Sequence, residues 1–564
     1  MNFKHIIKPA RVFAIAALML TGQSCSHLLD EEVVSGISSN YLNTPKGFED
    51  GVNSAYSSLR TYYATQLGLT MTEFGTDIYA TGADGGYKGF HFYDTQMNPT
   101  VDYLGTLWDE FYRGINTCNA IIDRAPNVTG VSDDIKKLRI AEVKFLRAHY
   151  YFILFQQYGG VDLRLTETLE ATKDTKRNTD AEMYAAIIKD MTESIADLPA
   201  TTGQYGRITK PIAEMGLAKV YLTKAYSTQK AADDFTKAAE LCNNVITKYS
   251  YKLQDDFASV FDEGNIRNSE VVWAIQYTAD AITNVTNNTN PVNSGNNLHL
   301  FFGMQYDVQA GMQRDILNGR PFKRLRPTTY CTEVVFGERV NDSRYKKTFK
   351  DTWLSNKPGK DLKTAFDDSK TTVTFAAGDT AIFIPGYEMS KEERAKRKYQ
   401  VLVPSKYSEA LFPTLTKFFD TKRPDMTYEP GSRDFFAFRL ADTYLMLAEA
   451  QLAAGKVKEA TDAINIVRRR AGWPGKKDAM EITQAQTTFE FIVEERAREL
   501  AGEQTRWMDL KRWGNLVDKV KKYNPQAAAN ITQNHLLRPI PQTQIDRSAK
   551  NAEGVSVFAQ NAGY

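Results

Sequence analysis

Between Phe74 and Thr100 the sequence reads FGTDIYATGADGGYKGFHFYDTQMNPT, crowding Asp77, Tyr79, Asp84, Tyr87, Phe90, His91, Phe92, Tyr93 and Asn98 into one glycine-rich stretch. This mixture of side chains suits a puckered, hydroxyl-covered ring. Ring C–H groups stack on flat aromatic faces, and the hydroxyls find donors and acceptors among amides and carboxylates. A second set lies off any helical pattern, at Asn297, His299, Phe301, Tyr306, Trp353 and Tyr387. Trp353 stands out in it as an isolated tryptophan among polar neighbours, FKDTWLSNK. For each of these rings the competing reading is an anchor that pins a loop to the body, since aromatic side chains are more often covered than bare.

Groups suited to making or breaking bonds are sparse. The six histidines (His5, His27, His91, His149, His299, His535) are scattered singly, with no i, i+4 pair and no Cys-x-x-Cys, so neither a metal site nor a cofactor is expected. There is no Gly-x-Ser-x-Gly, no His-Glu-x-x-His and no phosphate loop. Glu494 and Arg498, four apart in VEERAREL, read as a helix-surface pair rather than an acid–base couple. A glycoside hydrolase would need two carboxylates roughly 5 to 10 Å apart. Spacing in sequence does not exclude such a pair, but binding without catalysis is the expectation.

One further residue carries chemistry of another kind. The chain begins MNFKHIIKPARVFAIAALMLTGQSC, with a basic start (Lys4, Lys8, Arg11) and a short apolar run from Val12 to Leu20, the pattern of an export signal. That run is about half the ~20 residues a membrane-spanning helix needs. Thr21, Gly22 and Ser24 then lead to Cys25, where a bacterial lipoprotein would be cleaved and lipidated, although Gly22 stands where a larger aliphatic is usual. A plain cleaved signal with a free thiol is the alternative. Two or three acyl chains on Cys25 would hold the protein on a bilayer, at about 0.8 kcal/mol per buried methylene. The acidic run Asp30, Glu31, Glu32 follows, either a solvated linker or part of a sorting signal.

Removing residues 1 to 24 takes away three basic residues and no acid, leaving 67 basic against 68 acidic residues. Nothing in that balance attracts nucleic acid, which calls for basic clustering. The remaining cysteines, Cys118, Cys242 and Cys331, are odd in number, and two of them fall in apolar helical patterns, so buried free thiols are expected.

Helices must position these residues. Apolar side chains recur at helical spacing at Leu104, Leu107, Phe111, Ile115, Cys118 and Ile122, then at Ala141, Phe145, Ala148, Phe152 and Phe155. Ile212 to Ala225 and Phe235 to Val245 predict a helical hairpin. A second follows at Ala441 to Leu452 and Val457 to Val467, with Gly455 at the turn. Its L-A-E-A, Gly, E-A spacing is that of a tetratricopeptide unit, which buries its face by stacking on neighbours. The fold class predicted is all-α, with a loop-rich insertion over residues 276–430 that opens with an asparagine-rich stretch. Within it, TTVTF and AIFI predict a small strand hairpin around 376–380, ended by Pro385 and Gly386. Trp108, Trp273, Trp507 and Trp513 lie in apolar patterns and are assigned to the core.

Ordered blocks from Cys25 to Tyr564 resemble the SusD/RagB family of outer-membrane nutrient-binding lipoproteins. They include SSNYLNTPKGFEDGVNSAYSSLR, WDEFYRGINTCNAIID, AEVKFLRAHYYFILFQQYGGVDL, SEVVWAIQY, KRLRPTTY, DSRYKKTF, ADTYLMLAEA, ERARELAGEQTRWMDLKRWG, RPIPQTQI and QNAGY. The resemblance implies a signal peptide over 1–24 and an N-terminal helical region over 25–275. The insertion then joins a C-terminal region over 431–564 in one fold. It further implies a lipid anchor at Cys25, an outer-membrane position facing the cell exterior, and a glycan ligand lining the 74–100 loop, with peptide as the alternative. The implied partner is a SusC-like TonB-dependent transporter that receives the ligand.

Overall fold

The structure, a computed structural model, describes residues 40–280, 282–284 and 295–564. Cys25, the acidic run and most of the asparagine-rich stretch lie outside the described residues.

The principal helices are α1 (Pro45–Ser57), α2 (Asp102–Arg124), α3 (Asp133–Tyr158), α4 (Asp180–Asp197), α5 (Lys210–Ala225), α6 (Asp234–Thr247), α7 (Leu440–Ala453), α8 (Val457–Ala471), α9 (Phe489–Leu500), α10 (Arg506–Arg512) and α11 (Leu516–Tyr523). Local chemistry sets their ends. The Ser132 side chain caps α3 by accepting from the Ile135 amide, and Gly159 ends it at φ +76°. A reciprocal Thr179–Glu182 capping box opens α4. Consecutive helices from α2 to α6 pack on one another, and α6 then packs on α7 although the chain leaves the layer between Thr247 and Leu440. The body is therefore a run of stacked hairpins with one long excursion. Cys118, Cys242 and Cys331 are buried free thiols in it.

The excursion is closed at its base. Strands β2 (Val271–Ile275) and β9 (Phe435–Arg439) pair antiparallel, with Ile275 opposite Phe435 and Val271 opposite Arg439. Ionic contacts reinforce the junction. The buried Arg439 donates to Glu270 (3.0 Å), Glu499 (2.7 Å) and Glu503 (2.6 Å), while Arg344 from the excursion reaches Glu495 (2.8 Å) and Glu499 (2.9 Å) on α9. Glu499 is held at the low end of the carboxylate range because three arginines outweigh its burial. Arg498, expected at the surface beside Glu494, is instead buried and pairs with Glu495.

Between β2 and β9 the strands are short. β1 (Tyr79–Thr81), which precedes β2 in the chain, pairs antiparallel with β3 (Leu325–Pro327). The expected strand hairpin does not form. β6 (Thr372–Phe375) pairs with β5 (Gly359–Lys363), whereas β7 (Thr380–Phe383) pairs with β4 (Thr352–Leu354) and, in parallel, with β8 (Gln400–Val401). The intervening turn diverts the chain. Gly378 takes φ +82°, its amide donates to the Ser355 carbonyl, and the Ser355 amide donates to that of Asp379, so β7 is delivered to the edge of β4. There Ala381 and Ile382 are buried with Trp353, Tyr306 and Phe375 in a core of their own.

Candidate functional site

The glycine-rich loop lies against the segment that leads into β3. Beyond the β1–β3 pair, the Gly82 amide donates to the Arg324 carbonyl (2.8 Å) and the Asp84 amide to that of Lys323 (3.3 Å), extending the ladder. A Cβ at Gly82 would stand 2.1 Å from the Lys323 carbonyl oxygen, so the two backbones approach this closely only with glycine there, and Gly85 takes φ +95°, where glycine is favoured. The loop is thereby aimed at the first turn of α2.

At that meeting point Tyr87 stacks on Tyr103, ring centroids 3.5 Å apart and planes 13° from parallel. Both rings are partly exposed. The Tyr87 hydroxyl donates to Asp102 at 3.1 Å. Phe322 lies between two guanidinium groups, Arg320 at 4.9 Å and Arg324 at 5.1 Å from its centroid. Arg320 pairs with Glu429 (2.6 Å) and Lys323 with Asp84 (2.8 Å), whereas the buried Nε of Arg324 has no partner among the described residues. Burial lowers the Arg324 pKa against the pull of Tyr103 and Asp84. Burial, assisted by the Asp102 charge, raises the Tyr87 phenol, and burial raises Tyr103 further, so both hydroxyls stay protonated at neutral pH and can donate as well as accept. The backbone is strained here. Tyr87 at φ +63° and Lys323 at φ +48° occupy the left-handed region without being glycine, at a cost of order 1–3 kcal/mol each that surrounding contacts must offset.

Of the residues singled out in sequence, Tyr87 and Asp84 lie in this patch. Phe92, Asn98 and Asn297 are only partly covered, and Asn98 spends its carbonyl on the amide and hydroxyl of Thr100. Nine of the other ten are enclosed and serve the fold. Asp77 makes a two-pronged pair with Arg506 (2.8 and 2.6 Å). Tyr79 packs edge-on against Phe302. Phe90 lies under Arg538, and the Tyr93 hydroxyl donates to the Gly75 carbonyl. His91 is kept neutral by burial, which lowers its pKa to about 3. Phe301 is core, and Tyr306 stacks on Trp353 at 4.5 Å with both rings fully buried. His299 is likewise buried, and Tyr387 is exposed. A loop dense in rings fastens itself down with most of them, because each large ring brings 150–250 Å² of apolar surface to bury.

Sequence reasoning missed Tyr103, Phe322 and Arg324. Tyr103 precedes Leu104 and so falls off the apolar stripe of α2, a signal that was available. Phe322 and Arg324 sit in a basic-aromatic run, PFKRLRP, with no periodicity. An enclosed cavity of about 80 Å³, lined by His149, Gln156, Lys219 and Asp509 among others, is far below the roughly 300 Å³ of a small-molecule pocket. Among the described residues no group of three His, Cys, Asp or Glu is placed to hold a metal ion, and no helix is long and apolar enough to cross a membrane.

The chain resembles known proteins over nearly its whole length. A SusD-like protein of Formosa agariphila is 24% identical over 562 residues, covering 95% of this chain and 96% of that one. Among solved structures, a SusD homologue from Bacteroides thetaiotaomicron superposes with a TM-score of 0.72 at 21% identity, over 93% of this chain and 98% of its own. A laminarin-binding SusD-like protein does so with a TM-score of 0.69 at 23% identity, over 92% and 100%. A family model described as starch-binding and associating with the outer membrane matches residues 36–222, and the model of the SusD family itself matches residues 269–564. Stacked hairpins, the excursion between them and these matches agree: the chain belongs to the SusD family.

Proposed function

We propose that this protein is a surface lipoprotein, anchored through Cys25 in the outer membrane, that binds an oligosaccharide or polysaccharide without cleaving it and passes it to a SusC-like TonB-dependent transporter. The observation that carries the reading is the tyrosine plate. Tyr87 and Tyr103 present one flat, partly exposed surface beside the Arg324 side chain, with Asp84, Asp102 and Glu429 around it, which is the pairing of stacking face and hydroxyl-binding groups a sugar needs. The carboxylates flanking the plate are engaged as acceptors, Asp84 by Lys323 and Asp102 by Tyr87, an arrangement suited to holding hydroxyl networks rather than to protonating a glycosidic oxygen. Structural relatives support the ligand class. One is a laminarin-binding SusD-like protein, and another is a surface glycan-binding protein from Bacteroides thetaiotaomicron in complex with laminarihexaose.

Affinity electrophoresis through gels containing laminarin, starch, xylan, pectin or chondroitin sulfate tests this. At least one polysaccharide should retard the protein, with no release of reducing sugar. Retardation by none, together with calorimetric binding of peptides, would replace the glycan reading with a peptide one.

A further inference from the structure

Lys350 has an unusual partner. It belongs to a two-residue strand, Phe349–Lys350, that pairs with Thr414–Leu415 beside the separate core of the excursion. Its Nζ lies 4.5 Å from the centroid of the Trp353 ring and donates to the side-chain Oδ1 of Asn318 at 2.5 Å. The other hydrogen-bonded lysines among the described residues reach carboxylates, hydroxyls or main-chain carbonyls, whereas Lys350 meets a side-chain amide and forms no ion pair. Burial lowers its pKa to about 8 against the pull of the Asp315 charge, so part of it is free amine near neutral pH.

The amide it touches is held from the other side. Asn318 Nδ2 donates to both oxygens of Asp315, at 2.8 and 3.0 Å, and the Asn318 main-chain amide donates to the same carboxylate at 2.7 Å. The further side-chain partner of Asp315 is the Asn356 amide, so among the described residues this carboxylate also lacks an ion pair. Tyr306 fixes the turn on the core: its hydroxyl donates to the Gly319 carbonyl at 2.6 Å and its ring stacks on Trp353. Amine, amide and carboxylate are thus brought together from two segments 32 residues apart.

A free amine against a side-chain carbonyl is a nucleophile facing an electrophile. The Cγ–Oδ1 bond is about 1.2 Å long, so Nζ lies at most about 3.7 Å from Cγ, close to the ~3–3.5 Å of a near-attack pair. Asn318 precedes Gly319, a sequence in which ring closure by the following main-chain nitrogen competes for the same carbon. Here that nitrogen is engaged, because the Gly319 amide donates to the Asp315 carbonyl at 3.0 Å.

We infer that Lys350 and Asn318 join in an intramolecular isopeptide bond, with Asp315 as the proton carrier. The Nζ lone pair attacks Cγ to give a tetrahedral intermediate. Asp315, already bound to Nδ2, takes the proton that Nζ sheds and delivers it to Nδ2. The Cγ–Nδ2 bond then breaks and ammonia leaves. One amine and one primary amide become one secondary amide and ammonia, with no oxidant, reductant or cofactor. The bond closes the chain from 318 to 350 on the Trp353 core and restricts the unfolded chain as a disulfide would. Cys118, Cys242 and Cys331 are free thiols, so no disulfide among the described residues does this. The inference is independent of which ligand the protein binds.

Tryptic peptide mapping of the folded wild-type protein by mass spectrometry provides the test. Residues 315–323 and 348–360 should appear as one branched peptide, lighter than the sum of the two by one ammonia. An acylated Lys350 is no longer cleaved, and Arg320 and Lys357 each precede a proline. Lys350→Arg, which keeps the charge and loses the nucleophile, should give only linear peptides. Asp315→Asn, which keeps the shape of the turn and loses the proton carrier, should reduce the joined fraction at least about tenfold. Circular dichroism matching wild type establishes that each variant is folded. Linear peptides alone from wild type, or an Asn318 that is deamidated or cyclised on Gly319 with no branched product, would overturn the bond. A branched peptide at wild-type level in Asp315→Asn would overturn the part assigned to Asp315.

Discussion

Tyr103 illustrates how little separates a ring sealed in the core from one left partly exposed. Its neighbour Leu104 is fully buried in the core, whereas Tyr103, one position around the helix, turns its ring toward Tyr87 and solvent. Tyr103→Ala should weaken glycan binding by about 1.4 kcal/mol or more, roughly tenfold in Kd by calorimetry, as removal of an aromatic anchor does. Tyr103→Phe should lose less, since it keeps the stacking face. Glu73 is a different case, a carboxyl fully buried with one oxygen accepting from the Thr505 amide (3.1 Å) and the other unpartnered. Burial raises its pKa to about 8. The folded state thus holds a proton that the unfolded chain releases near pH 4.3. The resulting stability is present below that value and is lost as pH rises through about 8. Glu73→Gln, which keeps the acceptor and needs no proton, should therefore gain melting temperature over wild type as pH goes from 4.5 to 8.5. A constant difference across that range would refute the assignment.

Among the elements, the small sheet of β4, β7 and β8 carries Trp353, which the sequence offered as a stacking platform. The ring is sealed between Tyr306 and Lys350 and fills the separate core of the excursion. Trp353→Ala should cost about 3–5 kcal/mol through the cavity it leaves. Because that core is distinct from the helical one, the loss should appear as an early thermal transition with proteolytic cuts inside 304–412. A Trp353→Ala variant that melts like wild type yet binds no glycan would restore the platform role. The β2–β9 pair acts at the opposite end of the excursion. It brings the chain's exit and re-entry together, so that residues 320–324 return to the same face as the 82–87 loop.

For the whole molecule, function turns on where the body is held. The helical layer offers a rigid frame, and the Tyr87–Tyr103 pair lies where the glycine-rich loop, the start of α2 and the excursion meet. Radiolabelled palmitate should enter the wild-type protein and follow it into the outer-membrane fraction, and Cys25→Ala should abolish both. Incorporation that survives the substitution would mean the anchor lies elsewhere.

Several features were written in the sequence because they depend on near neighbours. Helical periodicity placed α2, α3 and α5 to α8, Gly455 marked a turn, and the apolar spacing around Cys118 and Cys242 predicted buried thiols, as found. What the sequence alone left open was which rings face out. Tyr87 and Tyr93 sit in one loop, both at positive φ, yet one stacks at the surface and the other is buried against Gly75. Composition is the same for both. Only the tertiary structure decided, because exposure depends on what distant segments supply: Tyr103 and the 322–324 run meet Tyr87, while Tyr93 packs under Arg538 and His535 from the far end of the chain.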